Sequence, residues 1–298
     1  MGWGQSYKYL FCCLLVLLIS LIPDKNRDTI DTICFFLIII LGIPHGAVDH
    51  KVFLTFRNKK RISHRSFHFI YGSLILLYTG LWFVSPEISI MIFLLLSIYH
   101  FGQDFLEENK INNAKSHEII LWGAQILLFP ILLNLHQIAP LLTENNIAFN
   151  LTLENWIPYI IVAGCIMHLA WLYAENKISL HKTIEIGLFI AMLIFLYSQI
   201  NFIAAFTIYF LVFHSENSFR LQYKWLKKNK KKYNYGLYIR DLAIFSIPIF
   251  ILMLVAWMFV LPNDWISIIS ALLIFISILT LPHTIHYSIF FSLSKQSN

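Results

Sequence analysis

Four short stretches of this sequence place histidine at the end of a long apolar run. They are Gly42–His50, Ser97–Asp104, Phe213–Glu216 and Leu281–His286. An imidazole beside hydrocarbon is costly without a polar partner, and a metal ion is one of the few partners that can gather several imidazoles. The pattern therefore raises the question of whether the four stretches meet at one metal site.

The chemistry available to these residues is that of a transition metal. Neutral imidazoles in a dry pocket suit Fe(II), Zn(II) or Cu better than Mg²⁺ or Ca²⁺, which prefer oxygen ligands. Metal-bound histidines usually pass their second N–H to a carboxylate or a carbonyl. Asp49 and Asp104 follow His45 and His100 by four residues, one turn of a continuing helix, so we expect them to support these imidazoles. The flanking glycines and prolines, such as Gly102, allow a helix to break or backbones to approach closely.

The histidines outside these stretches have a simpler explanation. A lone histidine near the end of an apolar segment is usually an interfacial side chain, and six residues receive this interpretation: His64, His68, His117, His136, His168 and His181. His168 lies near the middle of its segment, so we expect it to bond a neighbouring carbonyl.

The composition is that of a membrane protein. The chain has 298 residues, of which 58% are hydrophobic and 13% charged. A soluble domain of this length could not bury so much apolar surface. We therefore predict an all-α fold, a single polytopic integral membrane domain over residues 1–298 with about 8–10 transmembrane helices. The excess of basic residues then marks cytoplasmic loops and not a nucleic-acid partner.

The apolar segments give an approximate set of spans, at residues 7–23, 30–45, 67–84, 88–104, 118–135, 156–174, 183–199, 201–214, 240–261 and 264–282. As one helix, 183–214 would be about 48 Å long, well over a bilayer core of about 30 Å, so we expect a break at Gln199–Asn201. Pro282 is expected to end the last span and to leave 283–293 as a short re-entrant or interfacial piece.

The charge distribution favours ten spans. With that number, all of the 22 basic residues except Lys25 and Arg27 fall on the side that holds both termini. The positive-inside rule makes this side cytoplasmic in a multi-pass protein of the inner (plasma) membrane. The loop 51–66 and the basic loop 215–239 are then cytoplasmic. The same topology brings the histidine motifs to one membrane face, and it predicts a His cluster at the cytoplasmic helix ends formed by His45, His100, His214 and His283.

Several other classes of protein are excluded by the sequence. It contains no Walker motif and no dinucleotide-binding glycine fingerprint. No predicted span contains a lysine in its interior, since Lys8 lies at the very start of the first span. A retinal-binding opsin needs such a lysine to form a Schiff base, so this class is excluded.

At the histidine motifs, the sequence resembles the Brp/Blh family of membrane β-carotene 15,15'-dioxygenases. The resemblance is carried, in order and over nearly the whole chain, by Pro44–His50 (PHGAVDH), Tyr99–Gly102 with Asp104, Phe213–Ser215 and Leu281–His283. It implies that O2 and Fe(2+) cleave the central 15,15' double bond of β-carotene to give two all-trans-retinal. It also implies the lipid bilayer as the setting and a retinal-binding rhodopsin as product acceptor.

The resemblance, transferred residue by residue, places His45, His100 and His214 on the iron. The family pattern has a further histidine four residues after His214, where this chain has Ser218. A fourth imidazole is then expected from His283, His50 or His286, or the site has only three protein nitrogens. The predicted site thus consists of the metal ligands His45, His100, His214, His283 and His50 and the catalytic residues Tyr99, Asp49 and Asp104. Aromatic side chains such as Tyr99, Phe101 and Phe213 are expected to hold the polyene.

Two alternatives remain open at this point. A di-iron membrane desaturase or hydroxylase, acting on lipids or carotenoids, also clusters histidines at the cytoplasmic face, but it needs HxxHH boxes that this sequence lacks. A non-enzymatic accessory protein that helps an opsin acquire retinal would not need metal-binding histidines in all four motifs. The iron content of the purified protein distinguishes the three functions.

Overall fold

The computed structural model describes residues 3–23, 26–55, 64–111, 114–144, 156–260 and 265–295. Within these ranges the chain forms helices with short connections and no β-strand, which confirms the all-α prediction. The helices, in chain order, are α1 (Trp3–Ser20), α2 (Arg27–Gly46), α3 (Asp49–Thr55), α4 (His64–Val84), α5 (Pro86–Glu108), α6 (Ser116–Gly123), α7 (Phe129–Leu133), α8 (Leu135–Glu144), α9 (Ile157–Ala174), α10 (Leu180–Gln199), α11 (Phe202–Tyr209), α12 (Glu216–Asn229), α13 (Tyr235–Val260) and α14 (Trp265–Lys295). Two π-helical segments, Ala124–Leu128 and Phe210–Ser215, follow α6 and α11.

Eight stretches of the described chain are long and apolar enough to cross a membrane. They are Thr29–Thr55, Arg65–Val84, Pro86–Glu108, Ser116–Leu133, Ile157–Ala174, Leu180–Gln199, Tyr235–Val255 and Ile269–Ile289. The chain is therefore a polytopic helical membrane protein, as predicted. The apolar stretches Tyr7–Ser20 and Phe202–Ser215 are shorter, so the ten-span topology and its orientation stay predictions.

The apolar run 183–214 is too long for the thickness of a bilayer core, and it is broken in the structure. α10 ends at Gln199, Ile200 is extended (φ −134°, ψ 165°), and α11 begins at Phe202. The Asn201 side chain donates a hydrogen bond of 2.9 Å from Nδ2 to Oδ2 of Asp31, so a polar pair marks the break. This confirms the break predicted at Gln199–Asn201.

The prediction of a break at Pro282 is wrong. α14 continues through Pro282 to Lys295, so 283–293 is not a separate re-entrant or interfacial piece. α2 likewise continues through Pro44 and ends only at Gly46. A proline removes one backbone hydrogen bond, whereas ending the helix would leave several polar backbone groups to be satisfied in apolar surroundings. A helix that carries the proline is therefore the better arrangement.

The chain forms two compact units. The first unit consists of Met1–Ile39, Ser97–Ala139 and Phe149–His214. Phe105 stacks in its interior between Trp122 and Phe189, with ring centroids 4.6 and 5.1 Å away.

The second unit consists of Ile40–Leu96, Pro140–Ala148 and Ser215–Asn298. α14 packs on α4, and Nε1 of Trp82 donates a hydrogen bond of 2.9 Å to Oγ of Ser277. The segment 215–239, predicted as a basic loop, contains the 14-residue helix α12 and is thus not irregular. Its position in the cytoplasm and the single membrane domain over residues 1–298 stay predictions.

Candidate functional site

The first unit holds His100, Asp104 and His214 together. Their side chains are buried, and the residues are 2%, 4% and 1% exposed. The two imidazole rings meet edge to face with centroids 5.1 Å apart, and Nδ1 of His214 lies 3.1 Å from Oδ2 of Asp104. Two predicted ligands and one predicted supporting carboxylate are therefore neighbours.

A close crossing of α5 and α6 sets the position of His100. A Cβ atom on Gly102 would lie 1.9 Å from the carbonyl oxygen of Ile119, and one on Gly123 would lie 1.7 Å from that of Ile98. Only glycine permits backbones to approach so closely. Gly102 thus permits a close approach of two backbones, which is one of the two roles expected for it, and it fixes the helical turn that carries His100.

His214 lies in the π-helical segment Phe210–Ser215. A π-helical turn contains an extra residue, which rotates the side chains that follow it, and such turns are frequent at functional sites. The rings of Phe101 and Phe210 contact the His214 ring, with centroid distances of 4.6 and 5.2 Å. Phe213 instead stacks on Tyr209, with centroids 6.0 Å apart. Aromatic rings thus pack around this imidazole, next to the His100 ring and the Asp104 carboxylate.

The second unit holds His45, Asp49 and His283 together. The rings of His45 and His283 are nearly perpendicular, with centroids 4.7 Å apart. Nδ1 of His283 lies 2.7 Å from Oδ2 of Asp49, and Nδ1 of His286 lies 3.6 Å from Oδ1 of the same carboxylate. Both oxygens of Asp49 thus face imidazoles of α14.

The sequence Gly46–Asp49 makes this arrangement possible. α2 ends at Gly46, and α3 begins at Asp49 after a two-residue turn. A Cβ atom on Gly46 would lie 3.1 Å from Nδ1 of His283, so the small residue leaves room for the ring. The turn places the Asp49 carboxylate at the first residue of α3, opposite α14.

Both aspartates contact an imidazole, but in each case the imidazole belongs to a different helix from the one expected. We expected Asp49 beside His45 and Asp104 beside His100, whereas the structure pairs them with His283 and His214. For Asp49 the reason is the turn after Gly46, because His45 and Asp49 are not on one continuous helix.

His45 is held by its backbone as well as by its ring. Its Nδ1 atom hydrogen-bonds to the carbonyl oxygen of Gly42. Nε2 of Gln222 donates a hydrogen bond of 2.6 Å to the His45 carbonyl oxygen, and Oε1 of Gln222 accepts one of 3.1 Å from the Tyr238 hydroxyl. His45 is in the last turn of α2, where carbonyl groups have no partner within the helix, so Gln222 caps that helix.

The hydrogen bonds define which ring nitrogen can bind a metal. In His45, His214 and His283, Nδ1 faces a carbonyl or carboxylate oxygen, which can only accept a hydrogen bond. Nδ1 of a neutral ring must then carry the proton, and Nε2 keeps the lone pair. Metal-bound histidines in proteins are oriented in this way. The Nε2 atoms of His45 and His283 are buried.

The donor set fits a transition metal in its chemistry, because neutral imidazoles backed by oxygen acceptors are the ligands that Fe(II), Zn(II) and Cu take. In the part of the chain that the structure describes, no group of three or more His, Cys, Asp or Glu side chains has the arrangement of a metal site. The ligation of iron by His45, His50, His100, His214 and His283 therefore stays a prediction.

Two predicted site residues lie in other surroundings. The His50 ring packs on Phe245 and lies near His68, with centroid distances of 4.0 and 5.9 Å. Tyr99 is half-buried on α5, and successive residues of a helix point about 100° apart, so it occupies a different face from His100. Their roles stay predictions.

His168 has a carboxylate and an indole as partners, where we expected a carbonyl. Its Nε2 atom lies 2.8 Å from Oε1 of Glu118, and Nε1 of Trp122 donates a hydrogen bond of 3.0 Å to its Nδ1 atom. An imidazole in the middle of an apolar helix is thus satisfied on both sides.

Sequence reasoning did not single out Gln222 and Tyr238, which hold the His45 backbone. The available signal was the helical spacing in α12, because Gln222 is one turn from the buried Leu226 and on the same face. A polar residue on the buried face of an amphipathic helix indicates a specific hydrogen bond.

The fold and the two groups of buried His and Asp side chains define the class of this protein. It is a polytopic helical membrane protein with buried imidazoles that are oriented by carboxylates. A family model described as β-carotene 15,15'-dioxygenase matches residues 36–290, and the chain belongs to that family. The chain is 27% identical over 214 residues to a β-carotene 15,15'-dioxygenase from uncultured marine bacterium 66A03, an alignment that covers 68% of this chain and 73% of the relative. No solved structure matches the chain.

Proposed function

We propose that this protein cleaves the central 15,15' double bond of β-carotene with O2 and releases two molecules of all-trans-retinal. The observation that carries the proposal is the family match over residues 36–290, a range that contains both groups of buried histidines and aspartates. In the reaction the double bond breaks and each of its two carbons takes one oxygen atom of O2. The products therefore account for both oxygen atoms, and no further reductant is consumed.

The proposed cofactor is Fe(2+), with ligands drawn from His45, His50, His100, His214 and His283. The support is the tautomer of three of these rings, whose Nε2 atoms keep a lone pair. When bound, Fe(2+) supplies the activation of O2. Asp49 and Asp104 hold the protons on Nδ1 of His283 and His214 and fix the direction of both rings.

The surroundings of His214 suit a hydrocarbon substrate. Phe101 and Phe210 contact its ring and offer apolar faces to a polyene. Tyr99 is proposed to contact the polyene from the position beside His100 in the chain. Because β-carotene dissolves in the bilayer and not in water, an enzyme made of membrane helices can receive it without extracting it.

The protein is proposed to reside in the inner (plasma) membrane with both termini in the cytoplasm. The support is the charge asymmetry of the sequence, in which only Lys25 and Arg27 of the 22 basic residues fall on the opposite side. A retinal-binding rhodopsin in the same membrane is the proposed acceptor of the product.

The test is expression in bacteria that accumulate β-carotene. Cells with the wild-type protein lose their colour and form retinal, and cells with His283→Ala keep their carotene. His181→Ala is the matched control, because His181 is exposed on α10 and outside both groups of buried residues. Unchanged carotene in cells whose membranes contain folded, iron-loaded wild-type protein would refute the proposal.

A further inference from the structure

The exposed face of α12 is basic. Arg220, Lys224 and Lys228 follow one another on the helix at intervals of four residues, and Lys227 lies beside them. Residues four apart lie one above the other on a helix, so these side chains share one side of α12. Lys231 and Lys232 lie in the turn that follows the helix. All six residues are exposed, and together they are called the lysine face. Lys230 does not belong to it, because its side chain is half-buried. This burial and the neighbouring Lys51 lower the pKa of its amine.

The opposite face of α12 is fixed to the second unit. Leu226 is fully buried and packs with Val48 and Val52 of α3 and with Tyr238 of α13. Nε1 of Trp225 donates a hydrogen bond of 2.7 Å to Oγ1 of Thr55. The helix has 14 residues, about 21 Å at 1.5 Å per residue, which is too short to cross a bilayer. It is therefore an anchored amphipathic helix that presents one charged side.

The acidic side chains of α12 and of the start of α13 already form ion pairs. Glu216 pairs with Arg220 at 3.5 Å, and the buried Asp241 pairs with Lys51. Among the described residues, none forms an ion pair with Lys224, Lys227, Lys228, Lys231 or Lys232. These five lysines thus have no carboxylate counterion among the residues that the structure describes.

Aromatic residues border the lysine face. Tyr223 and Tyr235 contact each other with ring centroids 5.6 Å apart, and Nζ of Lys227 lies 5.8 Å from the Tyr223 ring. Tyr235 is 62% exposed. Tyrosine and tryptophan are enriched at the level of lipid headgroups, where the ring is in apolar and the hydroxyl in polar surroundings.

We propose that the lysine face of α12 binds the phosphates of anionic phospholipids. The charge complementarity, the tyrosines at the border and the anchoring of the opposite face all fit a membrane surface, and the inference is independent of the proposed function. A lysine near an anionic bilayer strengthens binding on the order of fivefold, so three lysines contribute on the order of a hundredfold at low salt. The contribution falls as ionic strength rises.

The experiment compares three variants of the full chain with the wild type, each purified in detergent and titrated with phosphatidylglycerol or phosphatidylcholine. Bound lipid is counted by native mass spectrometry, and the midpoint of thermal unfolding is recorded beside it. Lys224→Gln/Lys227→Gln/Lys228→Gln removes three charges from the lysine face. Lys110→Gln/Lys115→Gln/Lys177→Gln is the matched control, because these lysines are also exposed and are predicted to lie on the same side of the membrane.

The lysine-face variant is expected to lose at least tenfold in apparent affinity for phosphatidylglycerol and most of the lipid-dependent rise in the midpoint. The control variant and a charge-preserving Lys224→Arg/Lys227→Arg/Lys228→Arg variant are expected to match the wild type. Wild-type affinity in the folded lysine-face variant, or an equal loss in the control, would overturn the proposal. A loss in the arginine variant would overturn it as well, because its charge is unchanged.

Discussion

The hydrogen bond from Gln222 to the His45 carbonyl gives a direct test of how the second unit is held. Gln222 is 6% exposed, and its amide bonds the His45 carbonyl at 2.6 Å and the Tyr238 hydroxyl at 3.1 Å. Gln222→Leu keeps most of the volume and removes both bonds. Each buried group left without a partner costs about 1–3 kcal/mol, partly offset by the more apolar side chain, so we expect the protein to lose about 2 kcal/mol of stability.

The effect on activity is expected to be larger than the effect on stability. His45 is a proposed ligand, and a displacement of about 1 Å at a catalytic group can lower a rate by on the order of a hundredfold. We expect retinal formation to fall at least about tenfold in Gln222→Leu. Tyr238→Phe removes only the bond that orients Gln222, so it is expected to lose about 1 kcal/mol of stability and little activity.

Gln125→Leu is the matched control for this substitution. Gln125 is fully buried in the first unit, and its side-chain amide has no hydrogen-bond partner among the described residues. Replacing it by leucine is expected to leave stability unchanged or higher. Thermal unfolding and the initial rate of retinal formation are measured for all three variants. Wild-type stability and rate in Gln222→Leu would refute the positioning of His45 by Gln222.

Three further predictions follow from the described contacts. Asp49→Asn removes the charge that both His283 and His286 face. It is expected to lower the affinity for iron by about 10–100-fold, which is measured as iron retention during dialysis. Full retention of iron would contradict the role of Asp49. Gly102→Ala is expected to cost about 3 kcal/mol of stability, because its Cβ atom would lie 1.9 Å from the Ile119 carbonyl oxygen. Gly187→Ala, whose Cβ atom would have nothing within 4 Å, is expected to be neutral or slightly stabilising in the same unfolding assay, and equal effects of the two substitutions would refute the close crossing. A reporter that works only in the cytoplasm is expected to be active when it is fused at residue 230, and a reporter that works only outside the inner membrane is expected to be inactive. The opposite result would reject the ten-span topology.

The helix positions were predictable from the sequence because length and charge constrain them. The run 183–214 is too long for one span, and the structure breaks it between Gln199 and Phe202. Proline was a poorer guide, since α14 passes through Pro282 and α2 through Pro44. Proline weakens a helix locally, but in apolar surroundings the remaining backbone hydrogen bonds keep the helix intact.

The residue types of the candidate site were predictable from the sequence, but the imidazole that each carboxylate contacts was not. The motif around His45 indicates an imidazole with a nearby carboxylate, but spacing along the chain assigned Asp49 to the wrong imidazole. The turn after Gly46 and the approach of α14 decide that Asp49 supports His283, and neither follows from local sequence. Gln222 is 177 residues from His45, so this contact is a property of tertiary packing alone.

The most direct test of the proposed function is product analysis with the purified, iron-loaded protein, β-carotene and ¹⁸O-labelled O2. The aldehydes are reduced as soon as they form, so that exchange of their oxygen with water cannot remove the label. Cleavage of the central bond by a dioxygenase predicts two retinal molecules for each β-carotene consumed, both labelled. Apocarotenals of unequal length, a hydroxylated or desaturated carotenoid, or retinal without label in half of the molecules would contradict it.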